Sequence, residues 1–188
     1  MDFLVRHKTI SLVTFLSQGK ISNIDLINNL KKEIIEKCEQ NKENHSTTNV
    51  KAKFSGFESL PHSKKFQDFI KLISNEMGYI YRGPVAFKEA WGNICDTPQH
   101  KIQPHNHEGI TAFCGILYLT GNGPGTFFPE YDMHIKEEVG KFVLFHPLLV
   151  HYVPETNLKS QRITLAFNVD KIKPWEKKSI EKEGEWIK

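Results

Sequence analysis

From Gly83 to about position 170 the chain alternates short runs of β-branched and aromatic residues with Gly, Pro and Asn punctuation. The runs are Val85 to Asn93, Ile110 to Thr120, Lys141 to Phe145 and Arg162 to Val169, with a shorter one near Met133 to Ile135. Successive short strands with no helix between them point to an antiparallel sandwich or barrel. The turn signals of Thr120-Gly121-Asn122-Gly123-Pro124-Gly125 separate two of the runs.

The first third reads differently. Thr9 to Leu16 predicts a strand, broken by Gln18-Gly19-Lys20. Ser22 and Asp25 have capping-box spacing, and Ile27, Leu30, Ile34 and Cys38 recur at helical spacing, which predicts a helix from about Asn23 to Glu39. Asn41 to Thr48 is a polar loop. Ser63 to Met77 carries Phe66, Phe69, Ile70, Ile73 and Met77 on one helical face, with Gly78 in the place of a C-terminal cap. Such a stripe packs against a sheet. The expectation is one mainly β domain over residues 1–188, with a strand and supporting helices over 1–82, a barrel core over 83–170 and a charged tail over 171–188.

Twenty-five Lys and Arg against 22 Asp and Glu leave a formal charge of +3, scattered rather than massed, so composition gives no case for nucleic acid or a membrane surface. Arg6, His7 and Lys8 interrupt the apolar residues near the N-terminus, unlike a signal peptide or membrane span. Cys38, Cys95 and Cys114 form no CxxC pair and leave an odd thiol in any disulfide scheme, which points to a reducing cytoplasmic setting. Cys95 and Cys114 lie in strand patterns as small core residues. Self-association into a homo-oligomer stays open.

Nine histidines are the odd item in the composition, and five of them, His105, His107, His134, His146 and His151, crowd the stretch from position 105 to position 151. In an extended chain, side chains at i and i+2 share a face, so His105 and His107 can turn toward one point and chelate a metal. An HxH pair in a histidine-rich chain also arises by chance, with each ring an exposed loop residue or hydrogen-bonded at a strand end. His146 reads as a hydrogen-bonded strand-end residue, and His134, His100, His62, His45 and His7 as loop or surface residues.

The second segment of interest runs from Gly140 through His146 and His151 to Arg162-Ile-Thr-Leu-Ala-Phe-Asn168. A hairpin centred near Thr156-Asn157 would set His151 and Arg162 opposite one another, with Cβ atoms roughly 5 Å apart. An arginine at the mouth of an apolar strand calls for a partner, because burying an unpaired guanidinium is costly. That partner is either a surface acid such as Glu155 or the carboxylate of a ligand held beside a histidine-bound metal, gripped by the guanidinium fork. Thr164 lies on the same face and adds a hydroxyl.

Trp91-Gly-Asn93, His105-Asn-His107, Gly115-Ile-Leu-Tyr-Leu119, His151 and Arg162-Ile-Thr-Leu-Ala-Phe-Asn168 together resemble the Fe(II)- and 2-oxoglutarate-dependent oxygenases, and are most similar to a small bacterial and phage branch. The resemblance is strongest over residues 85–170, and Asn49 to Leu60 is also similar to a segment preceding the sheet in that branch. It implies a double-stranded β-helix, a jelly-roll barrel with iron at one open end. It implies His105, His107 and His151 as metal ligands and Arg162 as the anchor for the distal carboxylate of 2-oxoglutarate. Thr164, Tyr118 and Asn93 fall where they would line the cofactor, with Phe127 a further lining residue. The implied reaction hydroxylates a small-molecule or peptide substrate with O2 and releases succinate and CO2.

One departure stands out. The family motif is H-x-D or H-x-E, and position 107 is His, so a three-histidine site would hold a more cationic iron. Glu108 would point to the opposite face, and Glu130 and Asp132 could approach only through the fold. A second reading takes His107 as the first ligand with Gly109 in the carboxylate place, as in related halogenases. Two rivals to the oxygenase remain: a three-histidine cupin-type metalloenzyme that ignores 2-oxoglutarate, and a silent jelly-roll binding module.

Overall fold

The computed structural model describes residues 14–41, 49–81, 83–109, 111–121, 123–155 and 161–172. Two helices form where apolar residues recur at intervals of three and four. Helix α1 (Ile24–Gln40) buries Leu26, Ile27, Leu30, Ile34 and Cys38 along one stripe. Its N-cap is Asn23, whose Oδ1 accepts from the Leu26 N–H at 3.0 Å, one position later than the Ser22–Asp25 spacing suggests. Helix α2 (Lys64–Ile80) is capped by Ser63, which accepts from the Phe66 N–H, and buries Phe66, Phe69, Ile70, Ile73 and Met77. Gly78 does not end it. The helix closes at Tyr81, whose N–H donates to the Met77 carbonyl, and Gly78 sits exposed in the last turns.

Eleven strands form two antiparallel sheets among the described residues: β1 (Leu16–Lys20), β2 (Val50–Lys51), β3 (Lys53–Phe54), β4 (Val85–Cys95), β5 (Lys101–His105), β6 (Phe113–Tyr118), β7 (Thr126–Phe128), β8 (Met133–Ile135), β9 (Lys141–Phe145), β10 (His151–Val153) and β11 (Arg162–Lys171). The larger sheet has the order β1-β9-β6-β11-β4-β3, and the smaller β2-β5-β10-β7-β8. The predicted strands over 85–93, 141–145, 133–135 and 162–169 are present, and the run over 110–120 narrows to β6. The five strands of the smaller sheet are each two to five residues long, too short to show a period in the sequence.

Two expectations are corrected. Strand β1 runs straight through Gln18-Gly19-Lys20, pairing with β9 from Leu16↔Phe145 to Lys20↔Lys141. Gly19 makes room instead of a break, since a Cβ there would stand 2.5 Å from the Phe142 ring. The expected strand over 9–16 lies mostly outside the described residues. Strands β10 and β11 are not a hairpin: β10 pairs with β5 and β7 in the smaller sheet, while β11 pairs with β4 and β6 in the larger. The polar connection steps from one sheet to the other, as a jelly roll requires. Its centre at 156–160, the loop over 42–48 and the tail beyond 172 lie outside the described residues.

The larger sheet is covered on both faces, so β6 and β11 are buried almost throughout, β6 without a charged residue and β11 with its polar residues turned to the cavity. Phe113 and Leu117 of β6 and Ile163, Leu165, Phe167 and Val169 of β11 pack against α1 and α2. Cys114, Ile116 and Tyr118 face the smaller sheet with Phe128, Ile135, Val143, Phe145 and Leu149. Among the described residues no helix is long and apolar enough to cross a membrane.

Ile34 is fully buried in the helix–sheet core, so Ile34→Ala is expected to cost about 2–5 kcal/mol. Gly78 lies in the body of a helix, and a Cβ added there would meet nothing within 4 Å, so Gly78→Ala is expected to stabilise by roughly 0.5–1 kcal/mol. Urea denaturation of both variants beside wild type checks the pair.

Candidate active site

Strand alternation decides which side chains meet between the sheets. Facing inward are Arg162, Thr164, Ala166 and Asn168 from β11, Trp91 and Asn93 from β4, and His105 and His151 from the smaller sheet. His107, just beyond β5, joins them, its N–H donating to the Pro147 carbonyl at 2.8 Å and pinning the segment against the β9–β10 turn. They line one cavity that opens to solvent at its mouth.

Among the described residues the three histidines form the cluster with metal-ligand potential. One ligand-type nitrogen from each lies within 4.8 Å of the others. His105 and His151 are directly opposed on β5 and β10, with ring centroids 4.3 Å apart, and His107 stands 5.1 Å and 5.3 Å from them. His105 Nδ1 donates to the Gln103 carbonyl at 2.7 Å and His151 Nδ1 to the Leu149 carbonyl at 3.1 Å, which leaves Nε2 of each ring as the acceptor. Burial lowers all three pKa values, His107 to about 4 with His105 adding to the shift and His151 well below the usual range. Neutral imidazoles with free lone pairs are what a metal requires. Among the described residues no carboxylate takes part in the cluster: Glu108, Glu130 and Asp132 are exposed. His105 is a full member, so a reading that starts the ligand set at His107 leaves a ligand nitrogen unused.

Arg162 is placed differently from the sequence expectation. It faces His151 across the cavity from the other sheet, and its acid partner is Glu137, with Glu155 paired to Lys101 instead. Arg162 Nε donates to Glu137 Oε2 at 2.8 Å, with both side chains withdrawn from water, and the Thr120 hydroxyl donates to Glu137 Oε1 at 2.6 Å. Gly123 closes over this pair, since a Cβ there would stand 2.3 Å from Glu137 Oε2 and 2.7 Å from Arg162 Cδ. Glu137 looks like a surface acid in the sequence. Its only signal is parity, since it follows inward-facing Ile135 by two positions while Lys136 and Glu138 are exposed.

Thr164 and Asn93 lie directly opposite each other on β11 and β4, in the cavity wall beside Arg162. Tyr118 is buried beneath the guanidinium, with Arg162 Cζ 5.8 Å from its ring, and its hydroxyl donates to Thr126 at 2.7 Å. Burial pushes that hydroxyl's pKa up to about 12. Phe127 does not line the cavity. Its neighbours Thr126 and Phe128 take the inward positions, and Phe127 stacks between His134 and Tyr152 at centroid distances of 4.0 Å and 5.4 Å. His146 accepts from the Leu148 N–H, and Cys38, Cys95 and Cys114 are buried free thiols.

The buried polar atoms that lack a protein partner test what this cavity is built to hold. Among the described residues there are five, and four belong to cavity residues: Trp91 Nε1, Asn93 Oδ1, Arg162 Nη1 and Asn168 Oδ1. An arginine whose Nε is committed to Glu137 and whose Nη1 is unsatisfied fits an incoming carboxylate. Three neutral histidines fit a divalent transition metal.

No protein-family model matches the chain, and no curated protein sequence matches it. Solved structures do. A Pseudomonas putida prolyl-4-hydroxylase aligns with a TM-score of 0.66 at 14% identity, over 86% of this chain and 95% of that one. The viral collagen prolyl hydroxylase of Paramecium bursaria Chlorella virus-1, in its 2-oxoglutarate complex, aligns with a TM-score of 0.62 at 14% identity, over 84% and 97%. HygX of Streptomyces hygroscopicus with nickel and 2-oxoglutarate bound aligns with a TM-score of 0.59 at 10% identity, over 91% and 87%. The protein has the jelly-roll fold of these 2-oxoglutarate oxygenases.

Two outcomes are expected from the site's electrostatics. Glu137→Ala strands a buried guanidinium and is expected to cost about 3–5 kcal/mol, with much of that loss recovered in the double variant Glu137→Gln, Arg162→Met. Denaturation of the three proteins checks this. Because the unfolded histidines titrate near their ordinary value of 6.5 and folded His107 near 4, the unfolded chain binds more protons in that interval. Stability of the metal-free protein is therefore complete above about pH 6.5 and falls as the pH drops toward 4, a trend that denaturation across that range reads directly.

Proposed function

We propose that the protein is an Fe(II)- and 2-oxoglutarate-dependent dioxygenase, a hydroxylase that converts R–H, O2 and 2-oxoglutarate to R–OH, succinate and CO2. One observation carries this reading: three neutral histidines with converging nitrogens share a cavity with a buried arginine whose Nη1 has no protein partner. The fold likeness to oxygenases crystallised with 2-oxoglutarate, one of them with nickel, supports it.

His105, His107 and His151 would hold the iron, and Arg162 would take the distal carboxylate of 2-oxoglutarate, with Thr164 and Asn93 beside it. When bound, the metal and its cosubstrate supply the oxidising power drawn from O2. The chain's own residues supply placement. The carbonyls of Gln103 and Leu149 fix the tautomers of His105 and His151. Glu137 and Thr120 fix the guanidinium, so that it meets a ligand without reorganising. Ile116, Phe145 and Val153 add apolar surface to the cavity, with the Phe145 ring 4.7 Å from that of His151. With three neutral ligands, the charge of a bound divalent metal would be offset by the two carboxylates of 2-oxoglutarate rather than by the protein. The substrate is a small molecule or a peptide.

The test is spectroscopic. Fe(II) followed by 2-oxoglutarate, added without oxygen, is expected to give the visible charge-transfer absorption of the chelate. The band is expected to be lost in the Glu137→Gln, Arg162→Met variant, which keeps the buried charge balanced. Metal uptake without the band would instead favour a three-histidine metalloenzyme that ignores 2-oxoglutarate, and no uptake would favour a binding module. His107→Asp, which supplies a charged ligand, is expected to keep metal binding. Its abolition would remove position 107 from the ligand set.

A further inference from the structure

A neutral imidazole has one N–H and one acceptor nitrogen, so a histidine ligand needs its tautomer fixed before it can offer a lone pair to a metal. For His105 and His151 a peptide carbonyl two residues back does this. His107 is served differently. Its ring and the side chain of Asn168 line the same cavity wall, and no carbonyl two residues back holds it. Asn168 stands directly opposite Glu89 across the β11–β4 ladder, and its Nδ2 donates to Glu89 Oε2 at 2.5 Å. A carboxylate only accepts, so the amide nitrogen is committed and the orientation of the amide is set. Asn168 Oδ1 is then the end left over, buried in the cavity wall without a protein partner at full hydrogen-bond geometry.

We propose that Glu89 and Asn168 form a positioning relay for His107: Glu89 holds the amide, Asn168 Oδ1 accepts the His107 ring N–H, and the remaining ring nitrogen is presented to the metal. The carboxylate that is missing from the ligand set thus acts on the site from outside it, through one amide and one imidazole. A carboxylate hydrogen-bonded behind a ligating histidine orients the ring and raises its basicity, and the relay transmits that influence across an amide. Neither Glu89 nor Asn168 touches the metal. The inference rests on the proposed function only in treating the three histidines as a metal site.

Long-range proton–nitrogen correlation spectra of the full-length, metal-free protein labelled at histidine nitrogens read the tautomer of each ring. Co(II) titration reads the metal site. Wild type is expected to show one neutral tautomer at His107. In Asn168→Leu a mixture is expected at His107 alone, with Co(II) affinity reduced about 10- to 100-fold. Glu89→Gln is expected to fall between, since glutamine can present either end to the amide. The double variant Glu89→Gln, Asn168→Asp reverses the pair, the new amide donating to the new carboxylate and the carboxylate accepting from His107. It is expected to restore both the single tautomer and the affinity, which a merely structural role for the pair would not do. An unchanged His107 tautomer and Co(II) affinity in Asn168→Leu would overturn the relay. Should that variant fail to fold, a wild-type tautomer mixture in Glu89→Gln with no recovery in the double variant would overturn it equally. If wild type takes up no Co(II), the metal reading fails while the tautomer comparison still decides the relay.

Discussion

Strand β11 is buried on both faces, and its period of two divides the molecule's tasks between them. Ile163, Leu165, Phe167 and Val169 point to the helices and hold the scaffold, while Arg162, Thr164, Ala166 and Asn168 point into the cavity. A slip of one residue in its pairing with β4 and β6 would put a guanidinium into the helix–sheet core and phenylalanine into the site. The cost of either error makes register and function one constraint. The helices of the first third serve the site indirectly, since α1 and α2 cover the outer face that keeps β11 in register.

Charge in this interior is handled by pairing and by neutrality. Arg162 is sheltered by Glu137, which is itself held by Thr120, so each oxygen of the buried carboxylate has a donor. Gly123 seals the pair from the loop side. The histidines take the other route, staying uncharged because burial penalises the imidazolium form. A site assembled this way offers a metal three lone pairs and offers an anion one guanidinium, with the reorganisation already done when the chain folds.

Departure from the two-histidine, one-carboxylate pattern gains a physical context from the surroundings of position 107. An aspartate there would bring its own negative charge, whereas His107 needs an acceptor behind it, and Asn168 backed by Glu89 stands at that place. The substitution and its neighbours are consistent with one another.

The sequence by itself determined the local periods and the chemistry of single positions. Helical spacing marked α1 and α2, alternation and punctuation marked the long strands, and the spacing of His105 and His107 with the Arg162 motif marked the site. Each of these signals is carried by residues near in the chain, where the backbone period alone decides which side chains share a face. What only the tertiary structure decided is which distant residues meet. It put His151 against His105 and moved Arg162 to the facing sheet instead of a hairpin. It also paired Arg162 with Glu137 and set Asn168 against Glu89. The smaller sheet's strands are too short to show a period, and a buried acid looks like any surface acid until its partner is known. Contacts of that kind depend on how two sheets close over each other, which no local window of sequence contains.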